Sequence, residues 1–518
     1  MFKKIFLFIL IFINLLFFLK IDYRYKTDWT CCSDEFDYYS HIKTIVDDRD
    51  FDYSNQFGQE YLTSRNYIND TPAPYGFIGT SLLSLPFYKI GNILSELFDL
   101  NNNLISYEIA VTSLASTFYL YLTVLLFIRI SIYLKSNFNY LIIVMVLFGS
   151  GITYYSFERY LMPHVFEVFT ITLLIYLLIK LFITNNKLYM SIIPYAFLIS
   201  FLVRWTNYHI LFIPLIVKSL FFKEIKVKFR NKFFISNSLV SLIVFLYLNK
   251  LTYGIVTLNP MQVYSGDSSR VSSFLDEINL EPIIFLINAL KSLPIILFGQ
   301  EFGIFWFSPI LFIGTTALFF LEKKSKVFWY ILISFGFQFG IVILWGSTAS
   351  SYGYRYLYSL IPLSFLIFLY FERLKFYKYY LINFSIFSFL STLMFETSTN
   401  TQLSLEIIKN SFGNFVRYSQ PNYLSGVVET MFSLNSWLIV ISTSMLFSLV
   451  LKTIFLIVQK SEVLNIFSYL GLPIENEDFQ NLINTIDKTP YFFYLIYLIF
   501  VLFISIHFLK FKRKTYSV

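Results

Sequence analysis

Two adjacent carboxylates, Asp34 and Glu35, stand just beyond the first apolar segment, in the run Thr30-Cys31-Cys32-Ser33-Asp34-Glu35-Phe36-Asp37-Tyr38-Tyr39. A carboxylate so placed can take the proton of an attacking hydroxyl, worth roughly 10²–10⁴-fold in rate. Arg204 and Arg355 can supply the complementary half of such a reaction. A guanidinium holds a phosphate through paired hydrogen bonds and stabilises its charge as it leaves. Trp345, Tyr352, Tyr354 and Tyr356 have flat faces on which a sugar can stack, and Glu158, Arg159 and His164 add polar groups to the same set. These residue types suit group transfer from a lipid-linked phosphate, with apolar grooves to hold a prenyl chain.

Each residue also has a plainer alternative. Asp34 and Glu35 can be solvated loop acids, and Arg204 and Arg355 can be interfacial side chains reaching for water. His164 follows Pro163 where an apolar run begins, a place suited to packing or capping. Asp47, Asp48, Asp50 and Asp52 read as solvated turn residues or caps, His41 as a loop residue, His507 as an interfacial one, and Glu301 as a weak site candidate. No His, Cys, Asp or Glu cluster has metal-ligand spacing. Cys31 and Cys32 read as two unpaired thiols, with a strained vicinal disulfide or a metal ligand as the other options.

The elements that must position these residues are membrane helices. Of 518 residues, 56% are hydrophobic and only 14% charged, against about a quarter charged in a soluble domain. The apolar runs are continuous, not alternating, so they are helical spans and not barrel strands. The fold class is therefore all-α, a polytopic transmembrane bundle of about 12–14 spans. Expected spans are 4–21, 106–134, 139–157, 163–183, 188–203, 207–222, 233–250, 303–320, 327–345, 354–371, 379–395, 436–458 and 490–509. Met1–Leu19 carries Lys3 and Lys4 but no small-residue cleavage site, which makes it a retained signal anchor with its N-terminus in the cytoplasm.

The net charge of +8 comes from basic residues in short loops, where it orients the spans; nucleic acid is not an expected partner. Placing Arg129, Lys135, the run 223–232, Lys323 to Lys326, and Arg373 to Lys378 inside leaves 22–105, 158–162, 251–302, 346–353 and 396–435 outside. Glu281–Phe298 is then a helix at the outer interface with Lys291 on its wet side. The amphipathic stretch Phe77–Phe98 also lies flat there, so the long first outer loop carries interfacial helices. This parity strands the basic tail Lys510–Lys514 outside, against the positive-inside rule, unless a late span is re-entrant or 459–489 hides a turn back. All the candidate polar residues fall at one depth, the outer boundary. A charge near hydrocarbon is expensive unless paired or hydrated, so their shared level implies a polar cavity.

The order of short motifs resembles that of GT-C fold glycosyltransferases, in particular the bacterial dolichyl-phosphate-mannose mannosyltransferase-like proteins and the lipid A aminoarabinose transferases. The resemblance is carried by Ser33-Asp34-Glu35-Phe36-Asp37-Tyr38-Tyr39, Asp48-Arg49-Asp50-Phe51-Asp52-Tyr53, Tyr75-Gly76-Phe77-Ile78-Gly79, Leu85-Pro86-Phe87, Met162-Pro163-His164, Arg204-Trp205-Thr206-Asn207, Gly303-Ile304-Phe305-Trp306-Phe307-Ser308-Pro309 and Tyr352-Gly353-Tyr354-Arg355-Tyr356. It covers residues 1–375. It implies a catalytic module over 1–395, with 396–518 unassigned. It also implies inverting transfer of a sugar from a polyprenyl-phosphate donor to a lipid, glycan or protein acceptor outside the cytoplasmic membrane. The acidic residue of the first outer loop, catalytic base or acceptor-binding group in that family, falls on Asp34 with Glu35 beside it. The donor phosphate falls to Arg355 and Arg204. Some members of that family need a divalent metal and others do not, and the acidic loop permits one without requiring it. The rival expectation is a transporter or flippase of lipid-linked sugars, which would gather its polar groups near the bilayer midplane in two similar halves.

Overall fold

A computed structural model describes residues 32–57, 67–68, 71–97, 107–136, 140–225, 232–258, 282–300, 302–345, 352–371, 374–399 and most of 444–489, with scattered positions between 424 and 441 and between 491 and 506. The expected first span at 4–21, Cys31, Glu301, His507, the turn around 346–351 and the basic tail lie outside the described residues.

Among the described residues the regular structure is helical, apart from one two-residue antiparallel pair, Tyr67–Ile68 with Thr71–Pro72. Among the described residues, four helices are long and apolar enough to cross a membrane: Tyr107–Tyr133, His164–Thr184, Lys232–Tyr253 and Lys326–Ile343. The 27 residues of Tyr107–Tyr133 extend about 40 Å, more than a hydrocarbon core of about 30 Å. Tyr107–Tyr133 and His164–Thr184 form the packed centre with Lys187–Val203 beside them. Lys232–Tyr253 runs along Lys187–Val203 and exposes Phe233, Ile235, Leu239, Ile243 and Tyr247. So broad an apolar face is what a lipid-facing helix presents and what a water-facing one avoids.

Several expected spans are broken, for reasons visible in the residues. The segment 139–157 is two helices, Tyr140–Phe148 and Ile152–Phe157. Gly151 separates them with φ +80°, a conformation that Gly alone adopts cheaply. A Cβ there would strike the Tyr358 hydroxyl and the Tyr352 ring. The segment 303–320 breaks at Ser308 into Ile304–Phe307 and Pro309–Thr316, because a residue before proline is pushed out of helical geometry. The segments 207–222 and 354–371 begin alike. Each enters as a 3-10 turn, Asn207–Phe212 or Arg355–Leu360, and becomes an α-helix at Ile-Pro, Ile213-Pro214 or Ile361-Pro362. Proline early in a helix lacks the N–H that would bond back into the preceding turn, so the tighter 3-10 pattern ends where each proline starts the α-helix.

One other expectation is revised. Residues 459–489, read as a loop, contain the helices Lys460–Tyr469 and Glu477–Lys488. Lys460 Nζ clasps them together, 2.8 Å from Asn484 Oδ1 and 3.4 Å from Asp487 Oδ2. Within 436–458 the described α-helix is short, Met445–Ile454, opened by Ser444, whose hydroxyl accepts from the Phe447 N–H. The segment 281–298 forms a helix, Pro282–Phe298, with Lys291 exposed.

The first loop is not a tether. Its helix Cys32–Lys43 packs on Gly79–Leu97, which itself lies along Tyr107–Tyr133. That second helix buries a strip of small residues, Gly79, Thr80, Ser81, Ser84 and Gly91, and leaves Ile90, Ile93 and Leu97 exposed. A Cβ on Gly79 would overlap the backbone of Leu202 and Val203, so this glycine permits the close crossing. His41, read from sequence as a loop residue, is instead the fully buried hub of the arrangement. Its Nδ1 lies 2.7 Å from the Tyr53 hydroxyl and its Nε2 2.7 Å from the Gly76 carbonyl, to which Tyr253 also donates at 3.1 Å. A carbonyl can only accept, so Nε2 carries the ring proton and Nδ1 accepts from Tyr53. Burial lowers the His41 pKa from 6.5 to about 4, partly offset by the bond to Gly76.

Candidate functional site

Asp34 and Glu35 occupy the first turn of Cys32–Lys43, so successive side chains diverge by roughly a quarter turn of helix. Their environments separate accordingly. Glu35 is fully buried and faces Arg159, with Nη1 4.0 Å from its Oε2. Arg159 in turn donates from Nε to the Tyr154 hydroxyl at 3.0 Å. Asp34 keeps 30% of its side chain exposed and pairs with Arg355, Nη1 to Oδ2 at 3.3 Å. Of the two acids, Asp34 is the one a substrate can reach. Of the remaining acids of the loop, Asp50 and Asp52 hold local turns, while Asp47 and Asp48 accept from more distant residues. Asp47 accepts from the Tyr88 hydroxyl at 2.8 Å, Asp48 from Gln56, Asp50 from the Asp52 N–H at 3.0 Å, and Asp52 from the Ser54 N–H at 3.0 Å. Asp37 accepts from the Tyr75 N–H at 3.2 Å, which ties the helix to the turn that carries Gly76.

Arg204 and Arg355 come from opposite parts of the sequence and share one aromatic ring. The Arg204 guanidinium carbon is 4.2 Å from the centroid of Tyr356 and that of Arg355 is 5.3 Å from it. Each arginine stands at the approach to a 3-10 turn: Arg204 ends Lys187–Val203 just ahead of Asn207–Phe212, and Arg355 opens Arg355–Leu360. Gln338, on the helix Lys326–Trp345, holds the first of these turns, with Nε2 3.0 Å from the Thr206 carbonyl and 2.7 Å from His209 Nδ1, and the same helix also packs against Arg355–Leu360.

Behind Arg204 lies a residue that the sequence reading passed over. Glu167, one turn into His164–Thr184, is 1% exposed and accepts from Arg204 Nη1 at 3.4 Å. His164 is equally buried, with Nδ1 3.1 Å from Arg204 Nη1 and 3.7 Å from the Glu167 carboxylate. Guanidinium only donates, so Nδ1 accepts and the ring proton sits on Nε2. Glu167 was findable: an acid three residues after His164, inside an apolar span, shares its helix face and is expensive there without a partner.

The two arginine pairs differ in strength for a simple reason. Removing one partner of a buried pair strands a charge, at about 3–5 kcal/mol, and Arg204–Glu167 is such a pair. A solvent-touched pair contributes about 1 kcal/mol or less, and Asp34–Arg355 lies closer to that limit. The residues around the two arginines also have unmet hydrogen-bonding capacity. Arg355 Nε, His164 Nε2 and Glu167 Oε1 are buried without a hydrogen-bond partner, an arrangement that costs free energy unless something else satisfies it.

The aromatic candidates separate as well. Tyr356 is half-buried between the arginines. Tyr354 is buried. Tyr352 is walled in by Tyr154, Phe302, Phe307 and Phe395, and its hydroxyl donates to the Ser388 carbonyl at 3.3 Å. The Tyr352 carbonyl collects two further hydroxyls, Tyr155 at 2.9 Å and Tyr358 at 3.1 Å. Tyr352 is thus a support beneath the turn that presents Arg355, and the Tyr155 ring lies against His164 with centroids 4.5 Å apart. Glu158 is buried next to Arg159 in sequence, at the turn after Ile152–Phe157. The side chain of Trp345 lies outside the described residues. Among the described residues no three His, Cys, Asp or Glu side chains are grouped to hold a metal ion.

The structure therefore gathers Asp34, Glu35, Arg159, His164, Glu167, Arg204, Arg355 and Tyr356 through a chain of direct contacts and near pairs. Compared with protein-family models, curated proteins and solved structures, the chain matches none.

Proposed function

We propose that this chain is a membrane glycosyltransferase of GT-C type. In this reading it transfers a sugar from a polyprenyl-phosphate donor to a lipid, glycan or protein acceptor at the outer face of the cytoplasmic membrane. The observation that carries the reading is the meeting of Asp34 with Arg355, 321 positions apart in sequence. A carboxylate within reach of solvent and a cation for a phosphate stand in one site, the two groups that the opposite ends of a displacement at an anomeric carbon would need. In the proposed step the acceptor oxygen bonds to the anomeric carbon of the sugar and its proton passes to Asp34. The bond from that carbon to the phosphate oxygen breaks, and its electron pair departs with the polyprenyl phosphate. Attack from the face opposite the leaving group inverts the anomeric centre. Arg355, with Arg204 behind Tyr356, stabilises the charge that grows on the phosphate. The full multi-span bundle, the outward-facing site and the cytoplasmic N-terminus belong to this proposal.

Transfer of radiolabelled sugar from a polyprenyl-phosphate donor in membranes tests it. Asp34→Asn should lower the rate by roughly 10²–10⁴-fold while the protein accumulates normally. Near wild-type transfer in that variant would remove Asp34 from the role of base.

One feature favours a second reading. The two arginines sit where helices enter through 3-10 turns, and transporters bind substrate at interrupted helices. A flippase would move a labelled lipid-linked sugar across a proteoliposome membrane without consuming it, and a transferase would release the carrier phosphate.

A further inference from the structure

Arg204 and Arg355 touch the same ring but are held differently, and this difference suggests how the site is regulated. Arg204 is anchored from behind. Its guanidinium contacts Glu167, 1% exposed, and His164, also 1% exposed. Arg355 is held from the front by Asp34, of which 30% is exposed, and its buried Nε has no hydrogen-bond partner. An incoming anion has little to gain at Arg204, where it would have to evict a buried carboxylate. At Arg355 it displaces a solvent-touched carboxylate and can also engage the unsatisfied N–H. Together with a terminal N–H, Nε forms the two-pronged face of guanidinium that matches two phosphate oxygens.

We propose that the Asp34–Arg355 pair is a latch opened by the donor: a lipid-linked phosphate takes Asp34's place on Arg355, and the carboxylate so freed becomes available as base. This rests on the donor-phosphate reading of the site and adds an order of events to it. Before the donor docks, Asp34 is engaged with the guanidinium. After docking, Arg355 is neutralised by phosphate and the Asp34 carboxylate is released from that guanidinium beside the reacting sugar. The arrangement ties activation of the acceptor to the presence of the donor. Arg204 stays in place throughout, keeping Tyr356 and a second positive charge at the site.

A competitor removed should tighten binding. The full-length protein in nanodiscs is titrated with undecaprenyl phosphate, with the uncharged alcohol undecaprenol as control, and affinity is read by native mass spectrometry. The wild type should prefer the phosphate over the alcohol, and Arg355→Ala should erase that preference. Asp34→Asn should bind the phosphate about two- to fivefold more tightly than wild type, the range set by an exchangeable ion pair. Asp34→Glu, which restores the carboxylate, should return affinity towards the wild-type value. Asp34→Ser is measured alongside, so that a folding defect in one substitution does not decide the result.

If Asp34→Asn and Asp34→Ser bind no more tightly than wild type while Arg355→Ala still loses the phosphate, the latch is wrong and the phosphate site stands. If wild type and Arg355→Ala bind phosphate and alcohol alike, the donor-phosphate reading fails and the latch goes with it.

Discussion

Two polar centres lie close together in this protein, and they are built to opposite rules. At the His41 hub, both ring nitrogens, the Tyr53 hydroxyl, the Gly76 carbonyl and the Tyr253 hydroxyl all have partners. At the arginine cluster, Arg355 Nε, His164 Nε2 and Glu167 Oε1 are buried with none. A satisfied centre is at rest in one arrangement, which suits a clamp holding the first loop. A centre with unmet capacity gains from a ligand or a rearrangement, which suits a site. Buried histidine alone would not have told the two apart, since His41 and His164 are both fully enclosed.

The contrast can be broken from either side. The largest stability effect belongs to the cluster. Glu167→Ala should destabilise the protein by about 3–5 kcal/mol, because it leaves the Arg204 charge stranded against the bundle. Thermal unfolding in detergent measures this, and adding Arg204→Leu should recover a good part of the loss. A double variant no more stable than Glu167→Ala would mean that the pair is not what holds this region.

The hub should respond to acid. Its histidine titrates at about 4 in the fold, against 6.5 unperturbed. Between those values the unfolded chain carries a proton that the folded one refuses, so stability is lost as pH falls from 6.5 towards 4. The loss should approach about 3 kcal/mol. In His41→Asn, melting curves across that window should flatten. An unchanged pH dependence would show that His41 is not the group responsible.

The smallest expected effect is Tyr253→Phe, about 1 kcal/mol. It removes one hydroxyl from a carbonyl that retains His41 as a donor. A loss several times larger would mean that the hub is less complete than its hydrogen bonds indicate. These stability measurements read unfolding, while the experiments on Asp34 and Arg355 read transfer and phosphate affinity.

Much of this was legible in the chain itself. Continuous apolar runs determined the helical, membrane-type character, because hydrocarbon-length segments without alternation leave little else. The four helices long and apolar enough to cross a membrane begin and end within a few residues of where hydropathy placed them. Single residues located breaks after the fact: Gly151, Pro214, Pro309 and Pro362 interrupt helices by backbone geometry that is intrinsic to glycine and proline. Read through hydropathy alone, each of these segments looked like one uninterrupted span, since an average over many residues is insensitive to one of them.

What the sequence could not decide was pairing. Asp34 and Glu35 are neighbours of the same chemical class, yet one reaches Arg355 at a partly open edge and the other is sealed against Arg159. Helix rotation and packing against Gly79–Leu97 separate them, and neither is a property of the two residues. Tyr352, Tyr354 and Tyr356 alternate in one short run, yet Tyr352 is walled in by rings and Tyr356 stands between two guanidiniums. Composition fixed the class of chemistry available, carboxylates and arginines beside apolar helices. The tertiary structure chose which carboxylate meets which arginine, and at what exposure, because burial is set by every element that packs around a side chain.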